Sequence, residues 1–111
     1  MKDGQPVLSV GAAGGPTIIT QTLLAVVNWI DFQMPIEKAL AQPRFHHQWM
    51  PDELRLEDNI PEKIRAELLR RGHRLKLVGP FGATQVTEQK KHGGALIGQA
   101  DPRGQGVSLG L

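Results

Sequence analysis

Two adjacent glycines, Gly14 and Gly15, stand between an apolar run, Val7-Leu8-Ser9-Val10, and a helical pattern that opens at Pro16. Glycine has no Cβ, so its backbone can come close to a ligand. At a helix start the main-chain N–H groups lack intrahelical partners and sit at the positive end of the helix dipole. Two such donors can hold an anion. They can also hold a carbonyl oxygen that becomes negative during acyl transfer, where donors about 3 Å away lower the barrier substantially. The alternative for the same residues is a tight strand-to-helix turn with no further duty. The pair is not a Walker loop, because no Lys-Ser/Thr follows it, and its spacing is not that of a dinucleotide fingerprint.

A charge stabiliser needs a nucleophile, and the hydroxyls offer none with an evident base. Thr17, Thr20 and Thr22 fall at the start of the helix, Thr84 and Thr87 on a strand pattern, and Ser9 and Ser108 in strands without a nucleophile-elbow sequence. An N-terminal threonine can use its own α-amine as base; this chain begins with Met1, and removal of that residue exposes Lys2. There is no cysteine, hence no disulfide framework and no thiol chemistry.

The remaining chemical candidates point to structural roles. His46 and His47 are neighbours on an extended segment, so their side chains face opposite ways. His73 and His92 belong to other elements, and no carboxylate spacing completes a metal site. Hydrogen-bonded structural histidines are expected, with no metal and no cofactor. Asp52, Glu53, Glu57 and Asp58 surround a strand pattern, with Glu53 and Glu57 on one face. Paired carboxylates can do acid–base work, but these are expected as exposed residues around turns.

The elements that must position the glycines follow from periodicity. A strand is expected over Pro6–Val10, after a turn at Asp3-Gly4. Pro16 suits a first helical turn, and Thr17 to Ile30 is apolar on nearly all sides, which predicts a helix covered on more than one face. Pro35 starts a short second helix carrying Ile36, Ala39 and Leu40, ended by Pro43. Arg44–Pro51 reads as irregular, and Leu54–Glu57 alternates like a strand. Asn59 and Glu62 have capping-box spacing for a third helix with Ile64, Leu68 and Leu69 as its stripe, closed by Gly72. Leu75 and Leu77 mark another strand. Ala83–Glu88 and Ala95–Ala100 flank a hairpin turn at Gln89–Gly94, and Val107–Leu111 suggests a final strand. The sum is an α+β unit, helices on a largely antiparallel sheet.

Composition bounds the rest. The chain has 111 residues, 40% hydrophobic, which suits one compact unit over 1–111. The net charge of +2 is mild, and no basic run is interleaved with aromatics, so no nucleic-acid partner is expected. The polar start, Met1–Pro6, is not expected to act as a secretory signal, and no stretch is long and apolar enough to span a membrane.

Beyond these physical patterns, the sequence resembles the C-terminal part of the small subunit of γ-glutamyltranspeptidases. The resemblance is carried by Asp3-Gly4-Gln5-Pro6-Val7-Leu8, by Gly14-Gly15-Pro16-Thr17-Ile18-Ile19-Thr20 and by Ala41-Gln42-Pro43-Arg44-Phe45-His46-His47-Gln48-Trp49-Met50-Pro51-Asp52-Glu53-Leu54-Arg55. Arg71-Gly72-His73, Gly82-Ala83-Thr84-Gln85 and Ala100-Asp101-Pro102-Arg103 extend it almost from end to end. It implies the N-terminal-nucleophile hydrolase architecture, two sheets between helical layers (αββα). It implies a precursor that cuts itself into large and small subunits, freeing a threonine that attacks a γ-glutamyl amide such as glutathione. The acyl group then passes to water, an amino acid or a peptide. Under this resemblance Gly14 and Gly15 supply the oxyanion-hole N–H groups, and the location is extracytoplasmic, periplasmic or secreted.

Two departures from the family pattern stand out. Ala12 and Ala13 replace a small polar residue and a proline before the glycines, and the chain ends Gly110-Leu111 where the family often ends in an aromatic residue. The family's threonine nucleophile and its glutamyl-binding serines, acidic residue and arginine fall upstream of Met1. The chain is therefore expected to be inactive alone, with the large subunit and the start of the small subunit as its partners and a γ-glutamyl substrate in the parent enzyme. His46, His47 and Trp49 match the family and are expected to pack. Two competing expectations remain: a stand-alone remnant or non-enzymatic module that covers its apolar helix with a second copy of itself, and a simple anion-binding module at Gly14-Gly15.

Overall fold

The computed structural model describes residues 1–90 and 94–109. In chain order the elements are β1 (Leu8–Ala13), α1 (Thr17–Ile30), α2 (Ile36–Ala41), β2 (Phe45–His46), β3 (Leu54–Glu57), α3 (Glu62–Arg70), β4 (Leu75–Val78), β5 (Ala83–Gln89) and β6 (Leu96–Ala100). They form two three-stranded sheets, in the orders β1-β5-β6 and β2-β3-β4. Residues 1–42 with 82–111 make one compact unit and residues 43–81 another.

In the first unit β5 is central and antiparallel to both neighbours. β1 starts later than expected and runs on past Gly11, because Ala12 and Ala13 continue the ladder opposite Thr84 and Ala83. The two-residue alternation of a strand sends Leu8, Val10, Thr84 and Val86 to one face. There Val86 meets Ala25 of α1 and Ile36, Ala39 and Leu40 of α2, with Leu8, Val10, Trp29, Met34 and Ile97 around them. The opposite face carries Ser9, Gly11, Gln85 and Thr87, all exposed.

Helix α1 has the predicted bounds but not the predicted cover. The sheet and α2 cover one side, burying Gln21 and Ala25. Its other side leaves Ile19 76%, Leu23 58% and Ile30 55% exposed, so within the described residues the apolar helix is covered on one side only. α2 also forms as expected, between Pro35 and Gln42.

The second unit is built around β3, whose Leu54 and Leu56 are buried with Ile60 against Leu68 and Leu75. β2 pairs with β3 antiparallel, within a segment expected to be irregular. β3 pairs with β4 in parallel, which departs from an antiparallel layout. The reason is α3, which lies between them in sequence; a parallel pair needs such a crossover. α3 starts after Pro61, with no side-chain capping bond, so the expected capping box from Asn59 does not form. Ile64 and Arg65 donate instead to the Pro61 carbonyl. Gly72, at φ +92°, closes the helix as predicted, with His73 N–H returning to the Leu68 carbonyl.

The hairpin turn expected at Gln89–Gly94 includes residues 91–93, which lie outside the described residues, as does His92. Residues 107–109 form no strand, and residues 110–111 of the expected last strand lie outside the described residues. Helices and mostly antiparallel sheets make this an α+β chain.

Candidate functional site

Gly14 and Gly15 occupy the junction where β1 ends and α1 begins, and both are exposed. Their φ values, +141° and +57°, are open to glycine and strained for other residues. Each carbonyl around the pair has an inward partner. Gln21 Nε2 donates to the Ala13 carbonyl at 3.0 Å. Thr17 donates to the Gly14 carbonyl twice, from its N–H at 3.2 Å and its hydroxyl at 2.8 Å. Ile18 N–H donates to the Gly15 carbonyl at 3.1 Å.

The N–H groups are the complement of those carbonyls. In a planar trans peptide the C=O and the next N–H point in opposite directions. Tying the Ala13 and Gly14 carbonyls inward therefore turns the N–H groups of Gly14 and Gly15 away from the fold. Neither donates to a main-chain or side-chain acceptor among the described residues. Pro16, which follows, has no N–H, and the first turn of α1 carries no acidic residue to compete for the donors. The junction presents two adjacent donors at an uncompensated helix start, suited to an oxyanion.

The turn rests on a buried polar chain. Gln21 is 1% exposed. Its Nε2 also donates to Thr17 Oγ1 at 2.8 Å, and its Oε1 accepts from the Thr84 hydroxyl at 3.1 Å. Thr84 N–H donates to Asp101 Oδ2 at 2.8 Å, and Asp101 Oδ1 accepts from Arg103 N–H at 2.9 Å. The Arg103 guanidinium donates to the carbonyls of Leu40 and Gln42, both at 2.8 Å, at the end of α2. Gln21 went unnoticed in the sequence. The signal is one of the two amides of the helix, with Asn28, set four residues after Thr17 and hence on the same face as it.

Thr17 and Thr84 are engaged in the chain just described, and Thr22 donates to the Ile18 and Ile19 carbonyls. Ser9 and Thr87 lie on the exposed sheet face.

His46, His47, Glu53 and Glu57 make the following contacts within residues 43–81. Buried His46 meets Gln48 Oε1 at 3.0 Å through Nε2. His47 Nδ1 accepts from Trp49 N–H at 3.0 Å, while its Nε2 meets Asp52 Oδ1 at 3.2 Å. Trp49 is 80% exposed, which corrects the packing role expected of it; its N–H, not its ring, makes the local bond.

Glu57 also corrects expectation. It is 1% exposed, and its carboxylate accepts the main-chain N–H groups of Arg44 at 2.9 Å and Phe81 at 3.1 Å. Glu53 is half-buried and pairs with Arg55 and Lys76. Burial pushes its carboxyl up, but the hydrogen bonds and charges of Lys76 and Arg55 prevail and hold it below the usual range. The two carboxylates therefore serve different partners and do not form a pair.

A family model described as gamma-glutamyltranspeptidase matches residues 1–111. The glutathione hydrolase proenzyme of Escherichia coli strain K12 is 41% identical over 103 residues, covering 93% of this chain and 18% of its own length. The chain thus spans about a fifth of the length of that relative. The gamma-glutamyltranspeptidase of Pseudomonas nitroreducens, solved in complex with L-DON, superposes with a TM-score of 0.89 at 34% identity, covering 100% of this chain and 58% of that one. The transpeptidase CapD of Bacillus anthracis, at 18% identity and a TM-score of 0.78 over 94% of this chain and 63% of that one, shares the fold.

Proposed function

Because the chain belongs to the gamma-glutamyltranspeptidase family, we propose that it forms the C-terminal part of an enzyme that cleaves γ-glutamyl amides, glutathione among them. The acyl group passes to water, an amino acid or a peptide. Within that enzyme this segment supplies electrostatic stabilisation. The Gly14 and Gly15 N–H groups receive the oxygen of the γ-carbonyl as a nucleophile, contributed by a segment outside this chain, adds to the carbon. They hold the negative charge until the C–N bond breaks and the amine leaves with a proton.

The observation that carries this reading is the pair of outward N–H groups at the start of α1, unpartnered among the described residues. A donor that already faces the developing charge needs no reorganisation during the reaction, and loss of one such donor costs roughly a hundredfold or more in rate. A stabiliser without a nucleophile has no reaction to accelerate.

The test has two arms. The isolated chain, given a chromogenic γ-glutamyl anilide, is expected to release no chromophore above blank, while the complete polypeptide does so. Turnover by the isolated chain that survives repurification defeats the assignment. In the complete polypeptide a γ-glutamyl phosphonate, an anion shaped like the tetrahedral intermediate, should shift the amide resonances of Gly14 and Gly15. If both resonances stay fixed while the phosphonate inhibits, the donors are elsewhere.

A further inference from the structure

We propose that Gln21 is the positioning residue that aims both donor N–H groups, and that its side-chain amide is required for the rate of the acyl-transfer step. The proposal rests on the assignment of Gly14 and Gly15 as donors.

One carboxamide controls two peptide planes. Its Nε2 donates directly to the Ala13 carbonyl at 3.0 Å, and the Ala13–Gly14 plane carries the Gly14 N–H. The same Nε2 donates to Thr17 Oγ1 at 2.8 Å, which leaves that hydroxyl's own proton for the Gly14 carbonyl, also at 2.8 Å. The Gly14–Gly15 plane carries the Gly15 N–H. With each carbonyl held inward, each N–H is held outward, because the two are antiparallel across a trans peptide. Glycine dihedrals are otherwise free to rotate such planes.

The amide cannot easily turn over. Its Oε1 accepts the hydroxyl of Thr84, a residue with no exposed surface, and Thr84 N–H is fixed by Asp101. Reversal of the amide would place Oε1 against the Ala13 carbonyl, acceptor against acceptor. The pocket is also tight: a Cβ on Gly14 would lie 2.6 Å from Thr17 Oγ1 and 2.8 Å from Gln21 Nε2, and one on Gly82 would overlap the Gln21 amide. Buried amide, two glycines and two threonines form a socket that permits one orientation of the turn.

Gln21 touches no reacting atom, so the test needs a readout that lost packing alone would not move. In the complete polypeptide, Gln21→Met keeps the shape of the side chain and removes its hydrogen bonds. It should lower kcat by about 10- to 100-fold, with KM for a γ-glutamyl anilide within about twofold, since the interaction is made in the transition state. Affinity for the γ-glutamyl phosphonate should fall by a similar factor. Thr17→Val removes the hydroxyl that links Gln21 to the Gly14 carbonyl but leaves the Thr17 N–H bond to that carbonyl, so it should cost less, while Thr17→Ser restores the hydroxyl and should regain most of that loss.

Wild-type kcat and wild-type phosphonate affinity in folded Gln21→Met overturn the proposal while leaving the glycine assignment intact, provided the phosphonate shifts the Gly14 and Gly15 amides of the wild type. Silent amides in the wild type remove the glycine assignment and this proposal with it. If Gln21→Met does not fold, the Thr17 pair decides: equal kcat for Thr17→Val and Thr17→Ser overturns the proposal.

Discussion

The Asp101 carboxylate accepts the main-chain N–H of Thr84 at 2.8 Å, and neither residue reaches solvent to any useful extent. The same carboxylate lies 3.3 Å from the Arg103 guanidinium, which in turn holds the last carbonyls of α2. Asp101 is therefore the link between the end of a helix and the strand that supports Gln21. Asp101→Ala should take away the anion beside the Arg103 guanidinium and the carboxylate acceptor of the Thr84 N–H. Removal of one member of a buried ion pair costs about 3–5 kcal/mol. Chemical denaturation of the complete polypeptide should show a loss of that order; a change below about 1 kcal/mol would contradict the role assigned.

Gly82 has φ +75°, and a Cβ built on it would overlap the Gln21 amide. Gly82→Ala therefore combines an unfavourable backbone region with overpacking. The two together should cost about 3 kcal/mol. Because the displaced group is Gln21, kcat should fall as well, in proportion to the fall in phosphonate affinity. Stability and kinetics measured on the same preparation check both. A variant that melts like the wild type would show that the socket is loose.

The path from sequence to structure was uneven for physical reasons. α1 was legible to its bounds because Pro16 fixes its start and the apolar run ends at Asp31, where the next Pro is already near. β3 and β4 were legible from two-residue alternation, and β5 from the turn expected after it. The end of β1 was not, because Ala12 and Ala13 carry no signal of their own and are strand only through their partners Thr84 and Ala83. The parallel β3–β4 pair is a matter of topology, which alternation cannot report. At the site, Gly14 and Gly15 were visible since chain direction changes there. Gln21 was not, because its role depends on Thr84 and Ala13, and the Thr84 contact lies 63 residues away. Glu57 gives no sign of its burial for the same reason: its carboxylate accepts the main-chain N–H groups of Arg44 and Phe81, invisible in a string of side chains.

Glu57 yields a separate prediction. Its carboxylate oxygens accept one main-chain N–H each in a buried setting. Glu57→Gln replaces one oxygen by an NH2 group that faces a donor. A buried hydrogen bond lost in this way costs about 2 kcal/mol. Amide exchange should quicken at Arg44 or Phe81 while residues 1–42 remain as protected as before. Uniform loss of protection across the chain would contradict a local role.

Glu67 makes short bonds to Arg70, at 2.7 and 2.6 Å, and to Arg71, at 2.8 Å. The Arg70 hydrogen bonds, then those of Arg71, hold its carboxyl below the usual glutamate range. A carboxyl lowered on folding stabilises the fold above the ordinary glutamate value, and that contribution disappears as pH falls through the lowered value. All three side chains are largely in water, so the effect is small and screened by salt. Glu67→Gln should melt slightly lower than wild type at pH 7 in low salt, and the difference should close at about 1 M NaCl or on acidification. A gap that widened in acid would reverse the assigned sign.

Ile19, Leu23 and Ile30 form a stripe along the uncovered side of α1, at 76%, 58% and 55% exposure. Spacings of four and seven residues put them on one helical face. Apolar area of this kind favours association by roughly 25 cal/mol per Å2 removed from water. In the isolated chain, a second copy is the simplest cover. The isolated chain should therefore self-associate with rising concentration, and Leu23→Lys with Ile19→Glu should shift it towards monomer. Light scattering distinguishes the outcomes. A wild-type chain that stays monomeric at millimolar concentration would show that the exposed stripe does not drive self-association.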